Sequence, residues 1–437
     1  MTGSAALAEL RQRLERHDAT VGVVGLGYVG LPLAVAFAKA GVPVIGVDAD
    51  VARLERIGRG QSPVEDVPDD ELAPLVRTGR LTVTREIAAL AAADAIVICV
   101  PTPLGKSKEP DISHIVAAAD DVAKIPAPRP VGCPRVHHLS RHDRGSPPAP
   151  LHRLRACGGR AVLPRLLPER IDPGNRTWRL ESIPKIVGGI TPACRDLAGV
   201  LYGLVVDRVV PVTSPQAAEL VKLFENIFRS VNIALVNELA IMCRRLGLSV
   251  WEIIDAAATK PFGFMPFYPG PGIGGHCLPS DPYYLAWRAR MKGYEARFIA
   301  FADEVNGGMP AYTVQLVADA LNDHGRPIRG SRILVLGVAY KPGVGDVRDS
   351  PALEIIDALL SRGPTWTTPT RTCPPCTWRA VGLAAVDGAE VGSYDLVVVL
   401  TAHREFDAAR LVREARLVLD MRNLTGPLGT QPHVIRL

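Results

Sequence analysis

Three glycines, Gly25, Gly27 and Gly30, placed between two apolar segments, limit what this chain can fold into more than any other feature. The stretch TVGVVGLGYVGLPLAVAFAKAGVPVIGVDAD begins as a strand, turns through these glycines, continues as a helix that stops at Gly41, and returns as a second strand, VPVIGVD, ending in Asp48. This is a complete βαβ unit. Its glycines permit a tight turn and let a pyrophosphate approach the backbone at a helix N-terminus. Gly25, Gly27, Tyr28, Val29 and Gly30 are therefore candidate cofactor-binding residues. Asp48 lies eighteen residues past Gly30, near the distance at which a carboxylate meets the adenosine ribose hydroxyls. A carboxylate there repels a 2′-phosphate, so the expected cofactor is NAD rather than NADP. A later strand, DAIVICVPTPL, delivers Pro101 and Thr102 to the carboxyl edge of the same sheet, where open α/β sheets bind ligands.

The chain has 437 residues, 47% of them hydrophobic and 22% charged, enough for two or three domains with cores of their own. A net charge of +5 with scattered basic residues gives nucleic-acid binding little support. No apolar run approaches a membrane span and no leader pattern opens the chain, so a cytoplasmic protein without membrane contact is expected. Eight cysteines without paired spacing point to reduced thiols.

The central part reads as helix. SPQAAELVKLFENIFRSVNIALVNELAIMCRRLG carries Ser214 as N-cap, Pro215 at the first helical position and Gly247 as its stop, predicting one long helix. Lys222 and Asn226 are four apart and share a face. Beyond it, KPFGFMPFYPGPGIGGHCLPSDPYYLAW places a lone cysteine, Cys277, behind glycines at 270, 272, 274 and 275, with Asp281 four positions later. The glycines suit close approach of a ligand and argue against a packed core. A thiol beside a carboxylate that can position water suits covalent catalysis on a carbonyl, while a buried structural cysteine is the alternative. The last third, SRILVLGVAYKPGVGDVRDSPALEIIDALLSRG with YDLVVVLTAHREF and ARLVLDMRNL, predicts a second doubly wound sheet. Its strand ends carry Lys341, Arg348, His403 and Arg422, cations suited to an anionic ligand such as a nucleotide diphosphate.

These motifs, together with PERIDPGN, resemble one family in order and spacing: the UDP-glucose/GDP-mannose dehydrogenases, or nucleotide-sugar 6-dehydrogenases, and most closely their UDP-N-acetylglucosamine branch. The resemblance implies an α/β chain with two doubly wound Rossmann-like domains joined by a central helical domain, bounded at about 1–205, 206–310 and 311–437. It also implies oxidation of a UDP-sugar C6 alcohol to a carboxylate with two NAD, for surface polysaccharide synthesis, by a homodimer or higher homo-oligomer. Cys277 matches the nucleophile, and Lys222 and Asn226 match groups that stabilise an oxyanion or position water. Asp281 matches a residue assisting proton transfer and hydrolysis, and Glu169 an acidic position of the thioester step. Asp48, Arg53 and Thr102 match cofactor contacts, and Arg348 a position reaching the NAD of a neighbouring subunit. Phe267, Tyr268, Gly274, Lys341 and Arg422 match UDP-sugar contacts. No metal is implied. UDP-glucose and UDP-N-acetylmannosamine are alternative substrates, and a non-catalytic UDP-sugar-binding relative is the alternative from another class.

Two segments depart from the family pattern. Residues 126–167 are rich in Arg and Pro and lose both periodicities, so the expected strand, threonine-rich loop and helix are absent from the sequence; residues 364–382 break in the same way. Cys133, His137, His138 and His142, or the Cys373/Cys376 pair, could bind zinc, but neither set has a second half. The arginines could bind nucleic acid, but no aromatic or glycine pattern accompanies them. The preferred reading is out-of-frame translation of a GC-rich gene with compensating slips, which the coding DNA read in its other two frames would reveal.

Overall fold

The computed structural model describes residues 3–64, 66–100, 113–125, 136–139, 165–166, 170, 177–275, 278–347, 349–363, 365–367 and 390–437. The chain divides into two compact units, Met1–Phe224 and Glu225–Leu437.

In the first unit a parallel sheet is built on β1 (Val21–Val24), all four residues of which are buried. β2 (Val44–Val47), β3 (Leu81–Thr84), β4 (Ala95–Ile98), β5 (Val136–Leu139) and β6 (Arg165–Leu166) complete it in the order β3-β2-β1-β4-β5-β6. The chain leaves β1 towards β2 and β3, then returns to β4 on the other side, so the order reverses at β1 and β4 and opens a crevice at their carboxyl ends. Residues that face helices on both sides must be apolar, hence runs such as AIVI rather than alternation. The crossover helix Gly30–Lys39 buries eight of its residues and shares a core with β1 and β2, with Phe37 tilted against Tyr202 at 6.2 Å. A two-stranded parallel pair, β7 (Lys185–Val187) and β8 (Val209–Pro211), flanks the helix Pro192–Gly203, whose cap Thr191 accepts from the Cys194 amide.

The expectation that residues 126–167 hold no strand is not met. β5 pairs with β4 from Ala95↔Val136 to Ile98↔Leu139, and β6 follows it. The same correction holds for 364–382, where β10 (Thr365–Thr367) pairs with β9 (Arg332–Leu336). A buried strand edge presents unpaired N–H and C=O groups, and any backbone able to extend can satisfy them whatever its side chains.

The second unit holds most of the helix Pro215–Leu246, 32 residues without a break as the sequence predicts. Ser214 accepts from the Ala217 amide at its start, and Gly247, at φ 71°, ends it. Helices Val250–Ala258, Asp281–Arg290 and Arg297–Asn322 follow, then a parallel sheet ordered β10-β9-β11-β12-β13, with β11 Leu396–Val399, β12 Val418–Asp420 and β13 Val434–Arg436. Val317 and Leu321 of the third helix share one core with Ile333, Val398 and Leu419 of the sheet. Ser350 caps the helix Pro351–Leu360, its side chain accepting from the Ala352 amide. Among the described residues no helix is long and apolar enough to cross a membrane.

Candidate active site

The three glycines of the first unit do three different things. Gly25 sits at φ 89° and a Cβ there would come 2.6 Å from the Cys99 carbonyl oxygen, so the turn needs a residue without one. At Gly30 a Cβ would overlap the Gly25 carbonyl, which lets the helix start directly against the turn. Among the described residues nothing lies within 4 Å of the Cβ position at Gly27. That open cradle is where a pyrophosphate can reach the backbone, and the residues present fit a dinucleotide. Tyr28 is exposed beside it, and Val29 packs partly into the core.

Asp48 is buried at the end of β2. Its Oδ2 accepts from the Leu26 amide at 2.7 Å and from Arg53 Nη1 at 2.8 Å, and its Oδ1 accepts from the Asp50 amide at 2.9 Å. Burial alone would raise this carboxyl; the Asp50 and Leu26 amides and the Arg53 guanidinium outweigh it and hold the pKa below the ordinary value. A carboxylate has about four lone-pair sites, so one on Oδ1 remains for a ribose hydroxyl.

In the second unit, Asn226 projects from the long helix and donates through Nδ2 to Asp281 Oδ2 at 2.5 Å. Both are almost fully enclosed, 2% and 1% exposed. Asp281 is the first residue of its helix, where the helix dipole favours a negative charge. Pro282 sits in the first turn, where its missing N–H costs nothing, and so marks the start of the helix. Arg229 donates to Asn226 Oδ1. Lys222 is one turn earlier on the same helix and half-buried.

The glycine run behaves differently from expectation. A Cβ on Gly274 would lie 2.8 Å from the Asp349 carbonyl, Pro351 Cδ and Tyr340 Cβ; Gly272 and Gly275 adopt φ 133° and 90° against Pro351 and Tyr340. These glycines let the chain pack on itself, which corrects the inference that they argue against a packed core. The loop is held from below as well: the Gly270 amide donates to Asn237 Oδ1 at 2.9 Å, Asn237 to Asn306 Oδ1 at 2.9 Å, and Asn306 to the Ser230 carbonyl at 3.0 Å. Phe267 meets Phe228 edge-on at 5.6 Å. Tyr268 stacks on Trp251, and its hydroxyl donates to Asp255, which raises the phenol pKa and keeps it protonated.

The loops after β9, β11 and β12 share the carboxyl edge of the second sheet, whose order reverses between β9 and β11. Lys341 lies in the first and Arg422 in the third, with Arg422 Nε donating to the Leu400 carbonyl at 3.1 Å. Burial lowers the Arg422 pKa to about 10, still a cation at neutral pH. His403 departs from the expectation of a cation: it is 2% exposed, burial lowers its pKa against the opposing effect of Glu405, and Nδ1 has no partner among the described residues. Buried imidazole is neutral at pH 7.

Cys277, Glu169, Pro101, Thr102 and Arg348 lie outside the described residues, as do Cys133, His142, Cys373 and Cys376. Among the described residues no cluster of His, Cys, Asp or Glu could hold a metal. Sequence reasoning missed Arg229, although its i+3 spacing from Asn226 was legible, and missed Asn237 and Asn306, whose partnership across 69 residues was not.

A glycine turn with an open Cβ position in one unit, and in the other a second parallel sheet with Lys341 and Arg422 in the loops at its carboxyl edge, suit the binding of nucleotides. Three profiles of the UDP-glucose/GDP-mannose dehydrogenase family match: the NAD binding domain at residues 19–129, the central domain at 216–307 and the UDP binding domain at 334–427. The chain is 34% identical over 421 residues to an NDP-N-acetyl-D-galactosaminuronic acid dehydrogenase of Ralstonia nicotianae, covering 93% of this chain and 96% of that one. It is 31% identical over 400 residues to a UDP-N-acetyl-D-glucosamine 6-dehydrogenase of Pseudomonas aeruginosa, covering 89% and 92%. The solved structure of a UDP-D-ManNAc dehydrogenase from Pyrococcus horikoshii superposes with a TM-score of 0.83 at 29% identity, over 95% and 98% of the two chains. The chain belongs to the UDP-glucose/GDP-mannose dehydrogenase family and is an NAD-dependent nucleotide-sugar dehydrogenase.

Proposed function

We propose that this enzyme oxidises the C6 alcohol of a UDP-N-acetylhexosamine, UDP-N-acetylglucosamine first, to the uronate, supplying a surface polysaccharide pathway. The observation that carries the reading is the enclosed Asn226–Asp281 hydrogen bond, with Asp281 four residues after Cys277 in the sequence. NAD, when bound, supplies a hydride acceptor for each of the two oxidations; Gly25, Gly27, Tyr28, Val29, Gly30, Asp48, Arg53, Pro101 and Thr102 hold it, and Arg348 reaches the NAD of a neighbouring subunit.

Asp281 takes the O6 proton directly or through water, and the Lys222 ammonium and an Asn226 N–H stabilise negative charge as it develops on O6. The Cys277 thiolate forms a bond to the aldehyde carbon while the carbonyl π pair moves onto the oxygen, which takes the proton back from Asp281 to give a thiohemiacetal; the second oxidation removes that proton to Asp281 and a hydride from carbon, leaving a thioester. Water, directed by Asp281 and Glu169, then adds to that carbon, and the C–S bond breaks to release carboxylate and thiolate. Phe267, Tyr268, Gly274, Lys341 and Arg422 hold the UDP-sugar. The domain bounds 1–205, 206–310 and 311–437 accompany this reading.

The working form is a homo-oligomer, a dimer first. In the second unit Phe228, Leu235 and Met242 recur at seven-residue spacing along the long helix, with Leu246 beyond, and all four are exposed. Such a stripe on one helix face fits a second copy of the same face. The test of the reaction is NADH formation with UDP-N-acetylglucosamine, -mannosamine and -galactosamine and UDP-glucose. Tight UDP-sugar binding without NADH would favour the non-catalytic alternative.

A further inference from the structure

We infer that Arg229 is a positioning residue that fixes which way round the Asn226 carboxamide sits. The two ends of that amide are told apart by chemistry. A guanidinium can only donate, so the atom facing Arg229 is Oδ1; a carboxylate can only accept, so the atom facing Asp281 is Nδ2. Arg229 lies three residues after Asn226 on the same helix, so its reach back needs no other element to hold it.

With Oδ1 on Arg229 and one N–H on Asp281, rotation of the amide about its last side-chain torsion is stopped at both ends. The second N–H of Nδ2 therefore points in one fixed direction. It is enclosed, and it has no partner among the described residues. A fixed, enclosed and unspent donor is what an oxygen gaining negative charge requires, and it costs no reorganisation when the charge arrives. Without Arg229 the amide keeps only the Asp281 tether, and the donor swings. Arg229 itself is exposed, so replacing it leaves the packed core alone.

The inference deepens the proposed function and rests on Asn226 serving the reaction there, so its test has two readouts. In turnover, Arg229→Met should lower kcat by roughly 10- to 100-fold, the worth of one hydrogen bond to a charged group, with KM for UDP-sugar nearly unchanged. Arg229→Lys, which keeps a donor, should recover part of the loss. In an Asn226→Ala background Arg229→Met should cost nothing further, since there is no amide left to orient. An equal loss in both backgrounds, or a rise in KM with kcat intact, would overturn the inference.

The second readout needs no turnover. With 15N-asparagine labelling, the Asn226 side-chain amide, assigned by its disappearance in Asn226→Ala, should exchange its protons slowly in the native chain and at least tenfold faster in Arg229→Met. Equal exchange in the two would show that Arg229 does not hold the amide. If exchange responds as expected but Asn226→Ala leaves kcat untouched, the role of Asn226 in the reaction fails, and with it the catalytic purpose of Arg229.

Discussion

The Arg422 guanidinium lies against the bare backbone of Gly270, so that any Cβ at position 270 would meet Nη1 and Cζ of that arginine. The atoms in the way are the far end of a flexible side chain. Gly270→Ala should therefore fold normally and displace the guanidinium, raising KM for the UDP-sugar. Gly274→Ala meets a backbone carbonyl, a proline ring and a Cβ instead, and should cost about 1–3 kcal/mol of stability by overpacking. Arg422→Met should lose UDP affinity with little change in melting temperature, because burying that charge already opposes folding. Melting curves and UDP titrations of the three variants check this; a Gly270→Ala protein with native KM would detach Arg422 from the nucleotide.

Gly27 and Gly30 differ in the same way. Gly27→Ala meets no other described residue, so the protein should keep its melting temperature and bind NAD more weakly. Gly30→Ala collides with the Gly25 carbonyl and should unfold the first unit or shift its turn. Thermal unfolding with and without NAD separates the two outcomes.

Asp48 makes stability depend on acidity. Its pKa is lower folded than unfolded, so its contribution is fully present above the ordinary carboxylate range and is lost as pH falls through the lowered value. Asp48→Asn leaves Arg53 only the longer 3.6 Å pair with Asp50 and should cost about 1.5–3 kcal/mol at pH 7, shrinking towards zero in strong acid. The same variant should discriminate less against NADP. Urea unfolding at pH 7 and pH 3 measures the first effect, and a cost independent of pH would refute the assignment.

The helix stripe predicts assembly. Leu235→Glu places a charge at the centre of the exposed row and should convert a dimer to a monomer in analytical ultracentrifugation, leaving the secondary structure unchanged. A native chain that sediments as a monomer at micromolar concentration contradicts the proposed dimer.

Much of this was legible because local rules and the fold agree. The Gly25 turn, the Asp48 strand end, the Ser214 and Ser350 caps and the unbroken helix to Leu246 each follow from near neighbours. The sequence fails where the determinant is remote. Whether the glycines at 270–275 face a ligand or the protein depends on Tyr340 and Pro351, some 70 residues on, and the strands at 136–139 and 365–367 depend on a neighbouring edge rather than on their own side chains. His403 read as a cation because sequence reports residue type and not burial.

The most direct test of a four-electron oxidation counts electrons. A limiting amount of UDP-N-acetylhexosamine, excess NAD and the purified protein should yield two NADH and one uronate per sugar, and Cys277→Ser should still bind UDP-sugar but release no uronate, since a hydroxyl is a far poorer nucleophile towards the aldehyde than a partly ionised thiol. One NADH with free aldehyde, or uronate formed by Cys277→Ser at the native rate, would contradict an oxidation carried through this cysteine.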